Sequence, residues 1–498
     1  MAIRFFNSLT ETKEVFEPAE PDRVRIYSCG PTVYNYNHLG NFRAYVFVDL
    51  LRRFLRLRGF GLDHSVNITD VEDKIIENAH RAGLSIEEFT APYIEAFLED
   101  LRYLKLEEVE HRPRATRSIP AMIELMGRLH QNGHAYQSQG NVYFRLASDP
   151  GYGRLSHIEP AALRQAADGR FEADEYSKED VRDFALWKAP ATDYEQRWES
   201  PWGPGRPGWH LECSAMIRQI YGAAGVDIHT GGVDLMFPHH ENEIAQSCCA
   251  YPDDRFVGVW LHNEHLLVEG KKMSKSLGNY FMLRDFMEPE RARAIVDQGR
   301  APALILDLLA SDRMAGALRY LLIGTHYRQK LNFTFDGLQG AANAIERLQG
   351  TIDRLLRIAT ETAPLEGQGP APSFVKGAIE EFTAALDDDL NISKALAAVF
   401  ELNRTLNQAL DRNDLGADGV HSGIEAFRMV NQILDVFSFE LREVNSDPEH
   451  DAIDALVTER NQARANRDFA RADEIRNLLR QKGVTLEDTA TETLWRRD

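Results

Sequence analysis

The chain has 498 residues, of which 43% are hydrophobic and 27% charged, and this length allows about three domains of roughly 150 residues each. Its net charge of −20 argues against a protein that coats nucleic acid without specificity. No apolar run approaches the ~20 residues that span a bilayer, and the four scattered cysteines exclude a disulfide framework. We therefore expect a cytoplasmic protein.

The first informative stretch lies near the start of the chain. An apolar run, Val24–Ser28, predicts a buried strand that Cys29 ends, and a helical pattern covers Phe42–Leu57. The string His38-Leu-Gly-Asn41 opens that helix. Because a helix start offers unpaired N–H groups and its glycine lets a ligand approach the main chain, this unit predicts a phosphate site. The nearby Cys29 thiol is then a metal ligand, a nucleophile or a packing residue.

The next elements continue an alternation of strands and helices. We expect a strand over Asp63–Asp70, a helix over Val71–Arg81, and a long helix that starts at the capping box Ser85-Ile-Glu-Glu88 and reaches about Leu106. This alternation is typical of a doubly wound parallel sheet, in which ligands bind outside the carboxyl ends of the strands. Thr69 lies at such an end, as Cys29 does.

The alternation breaks over residues 111–207. A helix from Ile119 to Asn132 leads into an expected hairpin at 135–145, and charged, irregular sequence follows from Glu159 to Asp183. The Gly/Pro-rich segment 201–208 then returns the chain to the sheet, and Trp209–Cys213 opens a helix. We therefore predict an insertion into the nucleotide fold.

The second half of the sheet is followed by a helical region. A strand at Val226–His229 precedes a helix that starts at Pro238, and Phe256–Val268 is the last β-rich run. A polar loop over Glu269–Asn279 follows, and nearly everything beyond it is helical. Linkers are expected at 363–373 and 444–450, and a helix pair begins the tail.

These elements predict an α/β fold class: a Rossmann-like doubly wound parallel sheet catalytic domain with an inserted connective domain, followed by an α-helical C-terminal half. The predicted boundaries are 1–110 for the first half of the catalytic domain, 111–207 for the connective insertion, 208–285 for the second half of the catalytic domain, 286–362 for a helical region, 374–443 for a helical bundle and 451–498 for a small C-terminal module.

One set of side chains in the predicted catalytic domain suits a metal. His239 and Glu243 are four residues apart on a helix and project from one face, and Cys29 and Cys213 are zinc donors in the same domain. Four protein ligands are typical of a closed structural zinc, whereas a working zinc keeps a position open. The Glu243 carboxylate can loosen to admit a further donor, most suitably a thiolate. Cys248 and Cys249 are expected to be core residues.

Two basic patterns carry alternative interpretations. Lys272 and Lys275 lie three residues apart among glycines and serines, where two ammonium groups on a mobile loop can close onto a triphosphate; the alternative is a solvated basic loop. Near the end of the chain, four arginines recur at helical spacing, either as a nucleic-acid surface or as a solvated face paired with carboxylates. They are Arg460, Arg464, Arg467 and Arg471.

The strings His38-Leu-Gly-Asn41 and Lys272-Met-Ser-Lys-Ser276 resemble the two signatures of the class I aminoacyl-tRNA synthetases. Further strings, which run in one order over most of the chain, are similar to the cysteinyl-tRNA synthetases in particular. They are Cys29-Gly-Pro-Thr-Val-Tyr34, Asn67-Ile-Thr-Asp70, Asp183-Phe-Ala-Leu-Trp-Lys188, Gly208-Trp-His-Leu-Glu-Cys-Ser-Ala-Met216 and Phe237-Pro-His-His-Glu-Asn-Glu243.

The resemblance implies a set of site residues. A zinc ion, one per chain, would bind the thiolate of the amino acid cysteine, and Mg²⁺ would accompany ATP. The zinc ligands would be Cys29, Cys213, His239 and Glu243. The residues that face ATP or act on its phosphates would be His38, Gly40, Asn41, Lys272 and Lys275. The residues around the amino acid would be Thr69, Trp209, His229 and Asp234, with Asp234 as the partner of the α-ammonium.

The resemblance also implies the reaction: a monomer, away from any membrane, would join L-cysteine to the 3′ end of cysteine tRNA in two ATP-driven steps. Region 286–362 would contact the tRNA stem, and module 451–498 would bind the anticodon. One alternative is a ligase that passes cysteine to a small aminosugar, which would not need the helical half from about residue 312. A non-catalytic relative is disfavoured by the intact His38, Lys272 and Lys275.

Two features depart from the family pattern. Asn41 stands where the first signature usually ends in histidine, and asparagine can donate a hydrogen bond but carries no charge. Residues Ala294–Ser311 are extra sequence between the polar loop and the following helix. The sequence assigns no role to this segment.

Overall fold

The structure is a computed structural model that describes residues 2–158, 183–361, 372–440, 448–465, 468–488 and 493–497. It divides into two compact units, Met1–Ser438 and Phe439–Asp498. Among the described helices, none combines the length and the apolar character needed to cross a bilayer. The irregular stretch and most of the two linkers expected from the sequence lie outside the described residues.

Strands and helices are numbered here in chain order. The strands are β1 Arg4–Asn7, β2 Thr12–Val15, β3 Arg23–Ser28, β4 Gly61–Val66, β5 Ala135–Ser138, β6 Asn141–Phe144, β7 Phe184–Lys188, β8 Arg206–Pro207, β9 Val226–Gly232, β10 Val257–Asn263, β11 Leu266–Val268, β12 Lys271–Lys272, β13 Leu331–Phe333, β14 Val484–Asp488 and β15 Thr493–Arg497. The helices are α1 Leu39–Leu57, α2 Asp73–Ala82, α3 Ile86–Tyr103, α4 Ile119–Gln131, α5 Trp209–Tyr221, α6 Val233–Leu235, α7 Glu241–Ala250, α8 Arg284–Met287, α9 Pro289–Asp297, α10 Leu304–Ala310, α11 Met314–Ile323, α12 Phe335–Glu361, α13 Ser373–Asp387, α14 Ile392–Asp411, α15 Ala417–Leu434, α16 Pro448–Ala465 and α17 Phe469–Gln481.

A parallel sheet in the order β10-β9-β3-β4 forms the centre of the first unit. Strand β4 pairs on one side of β3 and the later strand β9 pairs on the other, so the direction of strand addition reverses beside β3. Ligands of α/β sheets bind at such a switch point, outside the carboxyl ends of the strands. Cys29 directly follows β3, and β9 ends at Gly232. The predicted doubly wound sheet is confirmed, and its crevice lies at Cys29.

Burial along these strands explains why the sequence forms this sheet. Residues 226–231 of β9 are buried without interruption, as is typical of a parallel strand covered on both faces. Helix α1 begins at Leu39, with His38 as its N-cap, and α3 has the predicted capping box of Ser85 and Glu88.

Strand β4 is shorter than predicted, since it ends at Val66 and not at Asp70. The reason is a change of partner. The Val66 N–H donates to the His111 carbonyl at 3.1 Å, and the Ile68 N–H donates to the Pro113 carbonyl at 2.8 Å. The chain after Val66 therefore pairs with the entry to the insertion, which no local pattern could indicate.

The insertion contains an antiparallel sheet in the order β5-β6-β7-β8. The hairpin predicted at 135–145 is present as β5 and β6. The expected polar loop also begins as a strand: β12 pairs with β11, and β11 pairs on its other side with β13. The loop after β12 is thereby fixed at its base to the body of the first unit.

The second unit is a small module in which α16 and α17 pack against the hairpin β14–β15, and its helix pair starts at Pro448 and not at residue 451. Its arginine stripe is broken, because Arg460 is only 4% exposed. Arg471 donates to Glu459 and Glu474, as the salt-bridged alternative expects. Arg467 lies outside the described residues.

A buried arginine ties α1 to the helical half of the first unit. The Arg319 guanidinium donates to Asp49 Oδ2 at 2.5 Å, to the Leu434 carbonyl at 2.6 Å and to the Leu104 carbonyl at 3.0 Å. Burial alone would raise the pKa of Asp49, but the charges of Arg319 and Arg53 outweigh it and lower the pKa below its ordinary value.

We expect Arg319→Ala to lower the free energy of unfolding by about 3–5 kcal/mol, because it leaves buried acceptors and part of a buried charge without their partner. Chemical denaturation measures this loss. Arg313→Ala is the control, since Arg313 forms a solvent-exposed ion pair with Glu346 that contributes at most about 1 kcal/mol. Equal losses for the two variants would contradict the assigned role of Arg319.

Candidate active site and metal centre

Four metal-ligand side chains meet at the switch point of the sheet. The ligand atoms of Cys29, Cys213, His239 and Glu243 all lie within 4.8 Å of one another. The two sulfur atoms are 4.0 Å apart, and His239 Nε2 lies 3.0 Å from Glu243 Oε1. The structure therefore brings together the quartet that the family resemblance implies.

Three different elements supply this quartet. Cys29 ends β3, Cys213 lies on α5, and the last two residues lie around the start of α7. The helix start predicted at Pro238 is confirmed: Phe237 is extended, and the helical turn that follows it continues into α7. His239 and Glu243 still share one face of the chain, as their spacing of four predicts.

The charges in this quartet are strongly coupled. Burial alone would lower the pKa of His239, but hydrogen bonds with Cys213 and Glu243 raise it to about 10. Burial alone would raise the pKa of Glu243, but His229 and His239 lower it to about 2. The hydrogen bond between the two thiols lowers the pKa of Cys213 and raises that of Cys29. The quartet thus holds a carboxylate and a thiol prone to ionise in a largely buried site.

The donor set fits a zinc ion. Two sulfur ligands of a tetrahedral zinc stand about 3.8 Å apart when the Zn–S bonds are about 2.3 Å, close to the separation of 4.0 Å between Cys29 and Cys213. His239 turns its other ring nitrogen, Nδ1, toward His210 Nδ1 at 3.0 Å. Its Nε2 is therefore directed into the quartet, and a neighbouring imidazole fixes the ring, as is usual for ligating histidines.

Two further histidines, one of them outside the sequence prediction, surround the quartet. His240 Nε2 lies 3.3 Å from Cys29 Sγ, and His229 Nε2 lies 3.0 Å from Glu243 Oε2. With Cys29 and Glu243 they form a second group of closely spaced ligand atoms. His240 follows His239 in the string Pro238-His-His-Glu241, and this neighbouring position is the signal by which the sequence could have identified it. Only the fold shows that both rings turn toward the sulfur atoms.

The start of α1 explains how Asn41 replaces the usual histidine. The Asn41 N–H donates to His38 Nδ1 at 3.2 Å, and the His38 N–H donates to Asn41 Oδ1 at 3.1 Å. This reciprocal pair is a capping box. Burial lowers the pKa of His38, so the ring is neutral near pH 7. Since Nδ1 accepts a hydrogen bond, its proton resides on Nε2, ready for a ligand oxygen.

Residues 269–279, here called the lysine loop, lie beside this helix start. A Cβ atom on Gly40 would lie 3.0 Å from the His38 ring and 3.3 Å from Met273 Cε, so a side chain at this position would crowd both groups. Lys272 and Lys275 are both exposed. Lys275 Nζ lies 5.5 Å from the centre of the Tyr280 ring, and that ring meets the His38 ring edge-on at 5.3 Å.

One side chain closes the base of the lysine loop. The Asn279 amide donates to the Lys272 carbonyl at 3.2 Å, and its oxygen accepts from the Ser274 N–H at 2.9 Å. The two exposed lysines therefore belong to a short loop that Asn279 cross-links.

The four residues expected around the amino acid have different environments. The Trp209 ring is 41% exposed and stacks on His239 at 4.3 Å. Asp234 is exposed beside Gly232. Thr69 Oγ1 donates to Glu212 Oε2 at 3.1 Å, within the buried core. His229 is fully buried and stacks on Trp260 at 4.6 Å. Trp209 and Asp234 are accessible to a ligand, whereas the buried His229 ring contacts Glu243 Oε2.

Glu212 is a further residue that the sequence prediction missed. It is 1% exposed, and burial raises its pKa well above the ordinary value. Its place directly before Cys213 was a possible signal, but a glutamate on a helix is ordinary. Its pairing with Thr69 depends on the distance between β4 and α5, which only the fold sets.

Comparisons with known proteins show the family of the chain. Residues 15–297 match the family described as tRNA synthetases class I (C) catalytic domain, residues 381–438 match the DALR domain, and residues 447–496 match the cysteinyl-tRNA ligase anticodon binding domain. A cysteine–tRNA ligase of Leptospira interrogans is 47% identical over 496 residues, covering 99% of each chain. One of Solibacter usitatus is 45% identical over 501 residues, covering 100% of each.

Solved structures with similar folds are more distant in sequence. A methionyl-tRNA synthetase of Mycobacterium tuberculosis in complex with methionyl-adenylate has a TM-score of 0.60 at 15% identity, covering 83% of this chain and 92% of that one. A leucyl synthetase of Agrobacterium radiobacter in a ternary complex has a TM-score of 0.57 at 11% identity, covering 85% and 84%. They support the fold alone. The family match over residues 15–297 and the relatives that match over the whole length lead to one conclusion: the chain belongs to the cysteine–tRNA ligase family of class I aminoacyl-tRNA synthetases.

Proposed function

We propose that this chain activates L-cysteine with Mg·ATP and transfers it to the 3′ end of cysteine tRNA, with one zinc ion selecting the thiol. A single observation carries the proposal: the Cys29, Cys213, His239 and Glu243 quartet lies at the switch point of the sheet, where the exposed Trp209 ring covers His239. The adjoining start of α1 offers a seat for the nucleotide.

The quartet would hold the zinc, which when bound favours a soft thiolate over the hard hydroxyl of serine. Glu243 is the ligand best able to loosen, because its second oxygen is already bonded to His229. Trp209 would form one wall for the amino acid, and the Asp234 carboxylate would pair with its α-ammonium. Thr69 would contribute from the same edge, held by Glu212.

His38, Gly40 and Asn41 would bind ATP at the start of α1. The His38 Nε2–H donates to a nucleotide oxygen, and Asn41 keeps His38 in place through the capping box. Lys272 and Lys275 would meet the charge that develops on the phosphates when the lysine loop closes. Positioning and electrostatic stabilisation then accelerate the reaction, and no covalent bond to the enzyme is formed.

The reaction has two steps. A carboxylate oxygen of cysteine attacks the α-phosphorus of ATP, and the bond to the bridging oxygen breaks to release pyrophosphate. The terminal ribose hydroxyl of the tRNA then attacks the carbonyl carbon of the adenylate. The carbon–oxygen bond to AMP breaks, and the hydroxyl proton leaves with the AMP phosphate or solvent.

The helical half of the chain favours tRNA over a small aminosugar as acceptor. A DALR domain and an anticodon-binding domain together span most of residues 381–496, and a small acceptor needs neither. We further propose that the protein acts as a monomer in the cytoplasm.

One pair of assays tests this proposal. We expect exchange of pyrophosphate into ATP that depends on cysteine, followed by charging of cysteine tRNA. Serine should support exchange at least about 1,000-fold less well, because a site built for one side-chain chemistry rejects the other. Exchange without charging would indicate the small-acceptor ligase. Comparable exchange with serine would contradict selection by zinc.

A further inference from the structure

One side chain of the extra segment 294–311 binds the end of the lysine loop. Arg300 Nε donates to the Gly278 carbonyl at 3.1 Å, and an Arg300 terminal nitrogen donates to the Tyr280 carbonyl at 2.7 Å. The guanidinium carbon also lies 5.1 Å from the centre of the Phe281 ring. Two charge-assisted hydrogen bonds and one ring contact thus hold residues 278–281, where the lysine loop ends.

The backbone directs Arg300 toward the loop. Helix α9 ends at Asp297, and Gly299 has a φ of +66°, which a glycine adopts without strain. The Arg300 N–H then donates back to the Ile295 carbonyl at 2.9 Å. The helix therefore terminates in a tight turn that brings this side chain beside the loop.

The rest of the segment is anchored to the body of the first unit. Ile295 and Ile305 are buried. Arg291, one helical turn earlier, donates to Asp285 Oδ1 at 2.8 Å, while Asp285 Oδ2 accepts from the Met282 N–H at 2.9 Å. Arg300 therefore holds the loop from a fixed support.

The residues that Arg300 holds lie between the catalytic groups. Tyr280 contacts both the His38 ring and the Lys275 ammonium. Gly278 has a φ of +68°, and residues 275–277 before it are exposed. The exposed tip of the loop thus ends at Gly278, and Arg300 binds the carbonyls of Gly278 and Tyr280, where the fixed base begins.

We propose that Arg300 is a positioning residue for adenylate formation: by binding the Gly278 and Tyr280 carbonyls, it fixes the base on which the lysine loop closes over the triphosphate. This role rests on the proposed function. Arginine suits it because its planar fork addresses two acceptors in fixed directions, whereas a lysine ammonium presents a point charge on a flexible stem. Among the described residues, Arg300 has no carboxylate partner that would compete for the fork.

Arg300→Ala and Arg300→Lys test the role, with Arg293→Ala as the matched control, an exposed arginine on α9, the helix that precedes Arg300. In cysteine-dependent pyrophosphate exchange, we expect Arg300→Ala to lower kcat about 10- to 100-fold, since misplacement of a catalytic group costs this much. The KM for cysteine should change less than about 2-fold, and the zinc content should not change. The kcat of Arg300→Lys should lie between those of the wild type and Arg300→Ala, and the kcat of Arg293→Ala should equal that of the wild type.

A second readout does not depend on activity. Trypsin cleavage after Lys272 and Lys275, followed by mass spectrometry in the native protein, should be faster in Arg300→Ala than in Arg293→Ala at an unchanged Tm. Equal cleavage and equal kcat for these two variants would overturn the role, as would a kcat loss matched by a loss of zinc or of Tm. If the wild type lacks exchange activity, the proposed function fails, and the cleavage rates still decide whether Arg300 holds the loop.

Discussion

Replacing Cys213 by serine is expected to abolish metal binding and cysteine activation together. The Cys213 sulfur is one of two soft donors in the quartet, 4.0 Å from Cys29 Sγ, and a serine hydroxyl is a poor zinc ligand at neutral pH. Elemental analysis of the purified variant should show the zinc content falling from one per chain to near zero. Cysteine-dependent pyrophosphate exchange should fall at least about 100-fold, the upper range for disturbing a metal site's support alone.

Cys248→Ser is the matched control. Cys248 is half-buried on α7, and burial raises the pKa of its thiol, but it is not one of the clustered ligand atoms. This variant should keep its zinc and its exchange activity. Retention of both zinc and activity by Cys213→Ser would contradict the metal assignment. Loss of zinc in both variants would point to unfolding as the cause.

Replacing Lys275 by alanine is expected to slow adenylate formation about 100- to 1,000-fold, the range for removing one preorganised group that stabilises transition-state charge. Lys275 reaches toward the start of α1, where its ammonium lies 5.5 Å from the centre of the Tyr280 ring. Because Lys275 is not one of the clustered ligand residues, the zinc content and the KM for cysteine should stay close to those of the wild type. Single-turnover measurement of adenylate formation gives the rate.

The control for this variant is Lys271→Ala. Lys271 is equally exposed and carries the same charge, but it lies in β12, where its backbone pairs with Val268. Its removal should change the rate less than about 3-fold, since an exposed charge contributes little. If the rate of adenylate formation falls by the same factor in both alanine variants, the loop acts only through its overall charge, and the specific role assigned to Lys275 is wrong.

Local patterns predicted most elements, and their failures have a common cause. The apolar run at 24–28 and the capping box at Ser85 correspond to β3 and α3, because burial and capping act between near neighbours in the sequence. The predicted end of β4 was wrong by four residues, since Val66 and Ile68 change partners to the distant residues 111–113. A partner that lies far along the chain leaves no local signal.

The same division applies to the site. Motif spacing and family resemblance named the quartet and the lysine loop, because the type of a side chain determines which ligands it can bind. They did not name His240, Glu212, Tyr280 or Arg300, whose types are ordinary for their positions. Each acquires a role only through distance: His240 lies 3.3 Å from a sulfur atom, and Arg300 lies beside two carbonyls of a loop about twenty residues earlier.

The amino-acid sequence by itself therefore determined the class of fold and the family, and it named the residues whose side-chain types suit metal and phosphate. Only the tertiary structure decided that Asn41 serves as the partner of His38 in a capping box, that His229 contacts Glu243, and that the extra segment reaches the lysine loop. The physical reason is that hydrogen bonds and ion pairs depend on separations of about 3 Å. Those separations are set by how strands and helices pack, and not by their order along the chain.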